Sequence, residues 1–438
     1  MFRIPACAVS AFVCLLASAS ASAQTALTHV RVIDGTGAAP HEDQTVLIRD
    51  GRIASIAPSA NASIPPNTKV LDLAGRTVFP GLVMVHEHTF YTDPTPDPTG
   101  LFIALPYSFP RMYLAAGVTT LRTGGTVDPY ADLALKKAID AGRRPGPEMF
   151  ITAPYLEGSP PVFFQAHPLQ DAADARRMVN YWADEGATSF KAYMDITRAE
   201  LAAAISAAHA RGLKITGHLC SVTFREAADL GIDNLEHGFI VATDFTPGKK
   251  PDVCPDTKMS DFAGLDVNSR PVRELIRHLV EHHVAVTSTL PVFEAFIADR
   301  PLNAAAMAML DPEARRIVET RRKKGRSMPV AVLKTEEALE RAFVAAGARC
   351  LPAPTRPAMA ARSLASAASV RSSYWSRPAL RPCRRSPSAA STARASLESP
   401  IVPGRSSPGN PPTSSSCAAI PPITSQISKT WKTCISKA

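Results

Sequence analysis

The sequence predicts an α/β chain: a short all-β segment followed by strand–loop–helix units that close as a TIM-like (β/α)8 barrel. Two features of the sequence carry that prediction. Residues 25 to 72 alternate as short strands, Ala26 to Ile33, Thr45 to Arg49, Ile53 to Ile56 and Val70 to Leu73, punctuated by Asp-Gly and Pro-Pro signals. From Val78 the rhythm becomes strand, loop, helix, with strands expected near 79–86, 117–122, 148–152, 187–193, 213–218, 232–237 and 284–289. Helical patterns fall near 129–141, 169–184, 197–210, 222–229, 271–282 and 312–346. Repeated units of this length form a parallel sheet that closes on itself and gathers its functional residues at the C-terminal ends of the strands. Seven such strands are legible and eight are expected.

Length and composition agree. The chain has 438 residues, 45% hydrophobic and 20% charged, enough for a barrel with a small attached domain. The net charge of +9 would suggest nucleic acid, but its distribution excludes that partner. Thirteen of the 48 Lys and Arg, and only one of the 39 Asp and Glu, lie from Ala348 onward. The remainder is slightly acidic, so the basic character belongs to the tail.

Residues 1–23 read as a secretory signal peptide. Arg3 supplies the charged start, Ala8 to Ala17 the short apolar core, and Ala21-Ser22-Ala23 the small-residue cleavage site. The apolar run is too short for a stable membrane span, so no membrane contact is expected after its removal. Export is expected, to a bacterial periplasm. Cys7 and Cys14 leave with this segment, and Cys350, Cys383, Cys417 and Cys434 sit in the tail. Cys220 and Cys254 remain; a disulfide between them suits an oxidising compartment, although spacing does not establish it.

The chemistry starts from Phe79 to His88, an apolar strand ending in His86-Glu87-His88. Side chains alternate along a strand, so the two imidazoles share one side and Glu87 points away. Paired imidazoles at a strand end are half of a transition-metal site. Two more strand-like segments end in histidine, Gly212 to His218 and Gly231 to His237. Between these pairs lies Ala187 to Met194, an apolar and aromatic strand with one lysine, Lys191. An ammonium there is costly to bury unless its charge is removed or paired.

These motifs, VFPGLVMVHEH, GVTTLRTGG, SFKAYMD, KITGHLC and DNLEHG, resemble the amidohydrolase superfamily in its imidazolonepropionase-like and Xaa-Pro dipeptidase-like branch. The resemblance covers roughly residues 25 to 347. It implies a barrel of the metal-dependent hydrolase type with a small β-sandwich shared between the N- and C-terminal segments. It also implies that His86, His88 and a carboxylated Lys191 hold one metal, and that the same lysine bridges to a second metal held by His218 and His237. Two zinc ions about 3.5–4 Å apart would share a hydroxide and polarise a carbonyl. The family often has Asp where this chain has Met84, a position that ligates no metal.

Around this set, Tyr193 faces the same side as Lys191 and is expected either to donate a hydrogen bond to substrate or to pack over the barrel mouth. Arg122, at the end of GVTTL, is a candidate for pairing with a substrate carboxylate, or it faces solvent. Lys191 and Tyr193 are therefore the catalytic candidates, and Arg122 and Tyr193 the substrate-binding ones. His29, His41, His167, His209, His278, His282 and His283 are given no metal role. The segment Tyr91 to Pro106, with repeated Asp-Pro and Thr-Pro, is expected to be a loop over the barrel mouth.

From Ala348 the sequence turns Ala-, Ser-, Pro- and Arg-rich and loses any period that could bury a core. Read one base out of phase, Met359 followed by Ala360 forces a glycine codon, and Trp431 followed by Lys432 forces a glutamate codon. With suitable synonymous choices, Leu351 to Ala361 recodes as AGTDPTGNGG, which resembles the family's eighth strand with its catalytic aspartate. The tail therefore reads as a frameshift product from near codon 347, without packing of its own.

The resulting expectation is four segments: signal peptide 1–23, β-sandwich part 24–77, an incomplete barrel 78–347 and an aberrant tail 348–438. The expected activity is metal-dependent hydrolysis of a C–N amide or peptide bond in a small substrate, a dipeptide or acyl-amino acid. A chain impaired by loss of the aspartate, and a cyclic amidine deaminase, are the alternatives. A homo-oligomer is compatible with the sequence.

Overall fold

The computed structural model describes residues 24–352 apart from 93–101, 164, 257–258, 298–303, 309, 313–314, 317 and 321–327. Residues 1–23 and 353–438, and so the signal-peptide reading and nearly all of the tail, lie outside the described residues.

The N-terminal segment forms one four-stranded sheet from β1 (Gln24–Val32), β2 (His41–Arg49), β3 (Arg52–Pro58) and β4 (Lys69–Val78), in the order β3-β2-β1-β4. β1 runs antiparallel to β2 and parallel to β4. Leu27, Val30, Val32, Val46 and Ile48 form its buried cluster. The second layer of the expected sandwich is not among the described residues.

The next strands are β5 (Leu82–Glu87), β6 (Phe90–Thr92), β7 (Phe102–Ala104), β8 (Val118–Thr123), β9 (Glu148–Phe150) and β10 (Thr152–Leu156). Then come β11 (Ser189–Ala192), β12 (Lys214–Gly217), β13 (Asn234–Glu236), β14 (Ala285–Ser288) and β15 (Cys350–Pro352). β5-β8-β9 is one parallel sheet and β10-β11-β12-β13-β14-β15 another. Only Ile151 separates β9 from β10, so the strands follow one another in chain order through eight positions. β6 and β7 pair antiparallel, which corrects the expectation that Tyr91 to Pro106 is loop throughout: Tyr91 pairs with Ile103.

The helices between strands are α1 (Phe109–Ala115), α2 (Pro129–Asp140), α3 (Ala172–Asp184), α4 (Arg198–Ala210), α5 (Phe224–Asp229), α6 (Met259–Ala263), α7 (Arg270–Glu281), α8 (Leu290–Glu294), α9 (Ala304–Ala308) and α10 (Val330–Ala345). α4 and α5 start with the same device, Thr197 with Glu200 and Thr223 with Glu226, each pair satisfying backbone N–H groups reciprocally. The main core lies between these helices and the sheet, with Phe190, Phe224, Phe239 and Phe343 fully buried. Each such ring contributes on the order of 1.5–3 kcal/mol.

The eighth strand corrects a second expectation. Cys350–Pro352 pairs in parallel with Val286–Ser288, although the composition from Ala348 argued against any packing. The reason is physical: a ladder is made by backbone groups, and Leu351 supplies the one apolar side chain needed beside Val85 and Ala285. Leu351 therefore packs against β5, while no hydrogen-bonded ladder joins β15 to β5 among the described residues.

α10 brings a carboxyl pair against the ends of β13 and β14. Glu336 is fully buried and accepts a 2.8 Å bond from the Phe239 N–H; Glu340, one turn on, is also buried. Burial and the neighbouring Glu340 charge hold Glu336 well above the carboxylate range, and burial pushes Glu340 up to about 7. Gly238 is required here, because a Cβ would overlap the Glu336 carboxyl and its φ is +66°. A carboxyl raised in the folded state stabilises most below its unfolded pKa of about 4.3 and loses that contribution as pH rises through the folded value. Stability to urea should thus fall between pH 5 and 8, and Glu340→Gln should flatten that fall. An unchanged slope in the variant would assign the pH dependence elsewhere.

Candidate metal centre

The five residues singled out by the strand-end pattern all lie at C-terminal ends of parallel strands. His86 is next to last in β5 and His88 follows it; Lys191 is in β11; His218 and His237 each follow directly on β12 and β13. Their rings form a row: His88 to His86 at 5.2 Å between centroids, His86 to His237 at 4.7 Å, and His237 to His218 at 4.4 Å. The Lys191 Nζ stands 3.3 Å from His86 Nε2. His86, His88 and Lys191 are buried, and His218 and His237 are half-buried. The structure thus brings all five together.

Each of three imidazoles is anchored through Nδ1. His86 Nδ1 is 2.6 Å from Glu236 Oε2, His88 Nδ1 is 3.1 Å from the Gly125 carbonyl, and His237 Nδ1 is 3.0 Å from Thr289 Oγ1. A carboxylate or carbonyl only accepts, so the proton of His86 and of His88 belongs on Nδ1, which leaves Nε2 a lone pair. Burial, reinforced by the Lys191 ammonium, lowers the His86 pKa to about 4. Burial and the neighbouring His218 hold His237 well below the usual histidine range. Neutral imidazoles held through Nδ1, with a lone pair on Nε2, are what divalent transition metals bind.

Room for the row comes from Gly124 and Gly125 after β8. A Cβ on Gly124 would overlap the His86 ring, and one on Gly125 would overlap Tyr155 and crowd the Lys191 stem. In the sequence the signal for this approach is two adjacent glycines at a strand end, in GVTTLRTGG, with nothing local to show what comes close. Glu236, directly before His237, carries no local signal of its role either.

Glu236 is fully buried and holds four partners. Beside His86, its Oε1 accepts from Arg122 Nη2 at 2.6 Å, Thr216 Oγ1 at 2.6 Å and Asn234 Nδ2 at 3.2 Å. Burial pushes this carboxyl up, but His86, Arg122 and Lys191 outweigh it and hold the group well below the carboxylate range. Arg122 is buried as well, and its Nε donates to the Val85 carbonyl at 2.7 Å. Both expectations for Arg122, a substrate carboxylate partner or a solvent-facing cation, are therefore corrected: its guanidinium is buried and committed to Glu236 and to backbone.

Glu87 points away from the row, as alternation requires, and burial raises its carboxyl well above the usual range, against a smaller opposing effect of the Tyr113 hydroxyl. Tyr193 is buried among rings, 4.5 Å from Tyr155, 5.4 Å from Phe163 and 4.9 Å from His218 between centroids. The ring is packed and also borders the row, which is compatible with both readings of Tyr193. Two residues past His218, Cys220 forms a disulfide with Cys254, closing a 34-residue separation.

Fit to a pair of ions can be judged from the donors. Among the described residues, no three of these imidazoles bring ligand atoms mutually within 4.8 Å, so one ion could not collect three of them as they stand. Four imidazoles at strand ends, with Lys191 against His86, are a donor set that fits divalent transition metals.

No family model matches the chain, and no curated relative is found. Solved structures do match. A structure described as a prolidase from Bifidobacterium longum has a TM-score of 0.57 at 22% identity, over 86% of this chain and 83% of that one. A Xaa-Pro dipeptidase with bound methionine in its active site aligns with a TM-score of 0.53 at 17% identity, over 78% and 87%. The bottromycin amidohydrolase AH gives 0.55 at 18%, over 85% and 78%. The chain shares the fold of these prolidase, dipeptidase and amidohydrolase structures. At these identities the likeness concerns the fold; chemistry has to come from the site.

Glu236 and the disulfide each carry a test. Glu236→Gln keeps the shape but loses the charge that fixes the His86 tautomer, and zinc affinity by chelator competition should fall about 10–100-fold. Unchanged affinity would show that His86 needs no such anchor. Reducing Cys220–Cys254 should cost about 3–4 kcal/mol for a loop of this length, read as a lower urea midpoint; an unmoved midpoint would mean that the bond constrains nothing.

Proposed function

We propose that the chain is a metal-dependent hydrolase of a C–N amide or peptide bond in a small substrate, a dipeptide or acyl-amino acid. The observation that carries this is the row of four imidazoles and Lys191 at the ends of β5, β11, β12 and β13, within a fold shared with structures described as prolidase, dipeptidase and amidohydrolase. His86 and His88 would hold one divalent ion, His218 and His237 the second, and Lys191, as a carbamate, would bridge them. Two zinc ions there would supply a hydroxide-strength nucleophile near neutral pH and polarise the scissile carbonyl.

The chain's own residues do the rest. Glu236 keeps the His86 proton on Nδ1; Gly125 does the same for His88 through its carbonyl. Tyr155, Phe163 and Tyr193 form an aromatic wall that excludes water and offers an apolar surface to a substrate side chain. Barrel closure belongs to this reading, with β15 filling the place between β14 and β5. So does export to a periplasm, supported by residues 1–23 and in keeping with the disulfide.

A second reading is favoured by a specific observation: no acidic residue occurs between Ala348 and Pro352, where an eighth strand would present its proton shuttle. A chain without that group would lose on the order of 10²–10⁴ in rate. The test pairs this chain with one carrying a single inserted base near codon 347, both zinc-loaded and assayed on a dipeptide panel. The expected result is low activity in the first and high activity in the second. Equal activity would show that the tail is native and that another residue moves the proton; no activity on any dipeptide, with ammonia released from cyclic amidines, would replace hydrolysis by deamination.

A further inference from the structure

At the opposite end of the sheet, where α5 and α7 lead into β13 and β14, three side chains meet that the hydrolase reading does not use. His278 and His282 lie one turn apart on the last turn of α7 and its cap, and Asp229 ends α5. Both imidazoles present Nε2 to the same oxygen: His278 at 2.8 Å and His282 at 3.7 Å from Asp229 Oδ1. Their rings lie 4.3 Å apart, and all three ligand atoms fall within 4.8 Å of one another.

We infer that Asp229, His278 and His282 form a second, peripheral binding site for a divalent transition-metal ion. Ligand atoms 2.0–2.2 Å from a tetrahedral ion lie about 3.3–3.5 Å apart, so small side-chain rotations bring this trio into place. Two imidazoles and a carboxylate are a borderline donor set that selects zinc, nickel or copper over magnesium or calcium. The side chains of His282 and Asp229 are 38% and 54% exposed, so water completes the coordination and the ion exchanges readily. Bound there, it would pin α5 to α7 and so brace the entries to β13 and β14, the two strands that border His237. The competing explanation is a hydrogen-bonded trio in which Asp229 accepts from both rings.

The experiment uses the full chain stripped by chelator and titrated with zinc in a calorimeter, beside His278→Ala/His282→Ala and Asp229→Asn. The double variant should lose one weaker class of sites, and Asp229→Asn should weaken it. The tighter uptake and the dipeptidase activity should be unchanged in both. Copper added to saturate this class should show nitrogen hyperfine coupling from two imidazoles, absent in the double variant. His86→Ala/His88→Ala should keep the weaker class, so failure of the central centre would not be mistaken for failure of this one. Equal zinc stoichiometry in wild type and the double variant would overturn the inference and leave the hydrogen-bonded trio.

Discussion

Glu236 takes hydrogen bonds from β5, β8, β12 and its own β13 at once, through His86, Arg122, Thr216 and Asn234. A bare carboxylate at that depth would be penalised by several kcal/mol, and the guanidinium of Arg122 with three further donors offsets it. Removing a partner is costly because it strands the other charge; in comparable buried pairs the loss is about 3–5 kcal/mol. The same carboxylate sets the tautomer of His86, and His86 touches both Lys191 and His237. The buried ends of four parallel strands and the candidate centre therefore share one electrostatic anchor.

What was legible in the sequence was what local pattern encodes. Apolar strands ending in His86-Glu87-His88, in His218 and in His237 announced their own ends, and the strand and helix positions follow the expected rhythm closely, except that the helix expected over 312–346 is interrupted at Met328–Pro329 and α10 begins at Val330. Glu236 with His86 was not legible, because the two are 150 residues apart and only the tertiary arrangement of the strands brings them together. Arg122 was misjudged for the same reason: a cation at a strand end has no visible partner until β13 is in place. Gly124 and Gly125 marked a tight approach but not to what. His278 and His282 looked like an ordinary helix end until α5 placed Asp229 beside them.

The eighth strand shows the limit of composition as a guide. Cys350–Pro352 continues the sheet because backbone pairing is indifferent to most side chains, and Leu351 is apolar by good fortune of its position. The pattern that would present an acidic group beyond it is absent from the same stretch. Fold and catalysis thus part company there: three residues suffice to extend a ladder, whereas a proton shuttle needs one particular side chain in one place.

Whether His86, His88, Lys191, His218 and His237 hold two divalent ions, as proposed, can be read from anomalous diffraction at the zinc edge of zinc-loaded crystals. Two peaks about 3.5–4 Å apart are expected, one beside His86 and His88 and one beside His218 and His237. Diffraction showing no peak at this row, under conditions where zinc is bound elsewhere on the chain, would contradict the proposal.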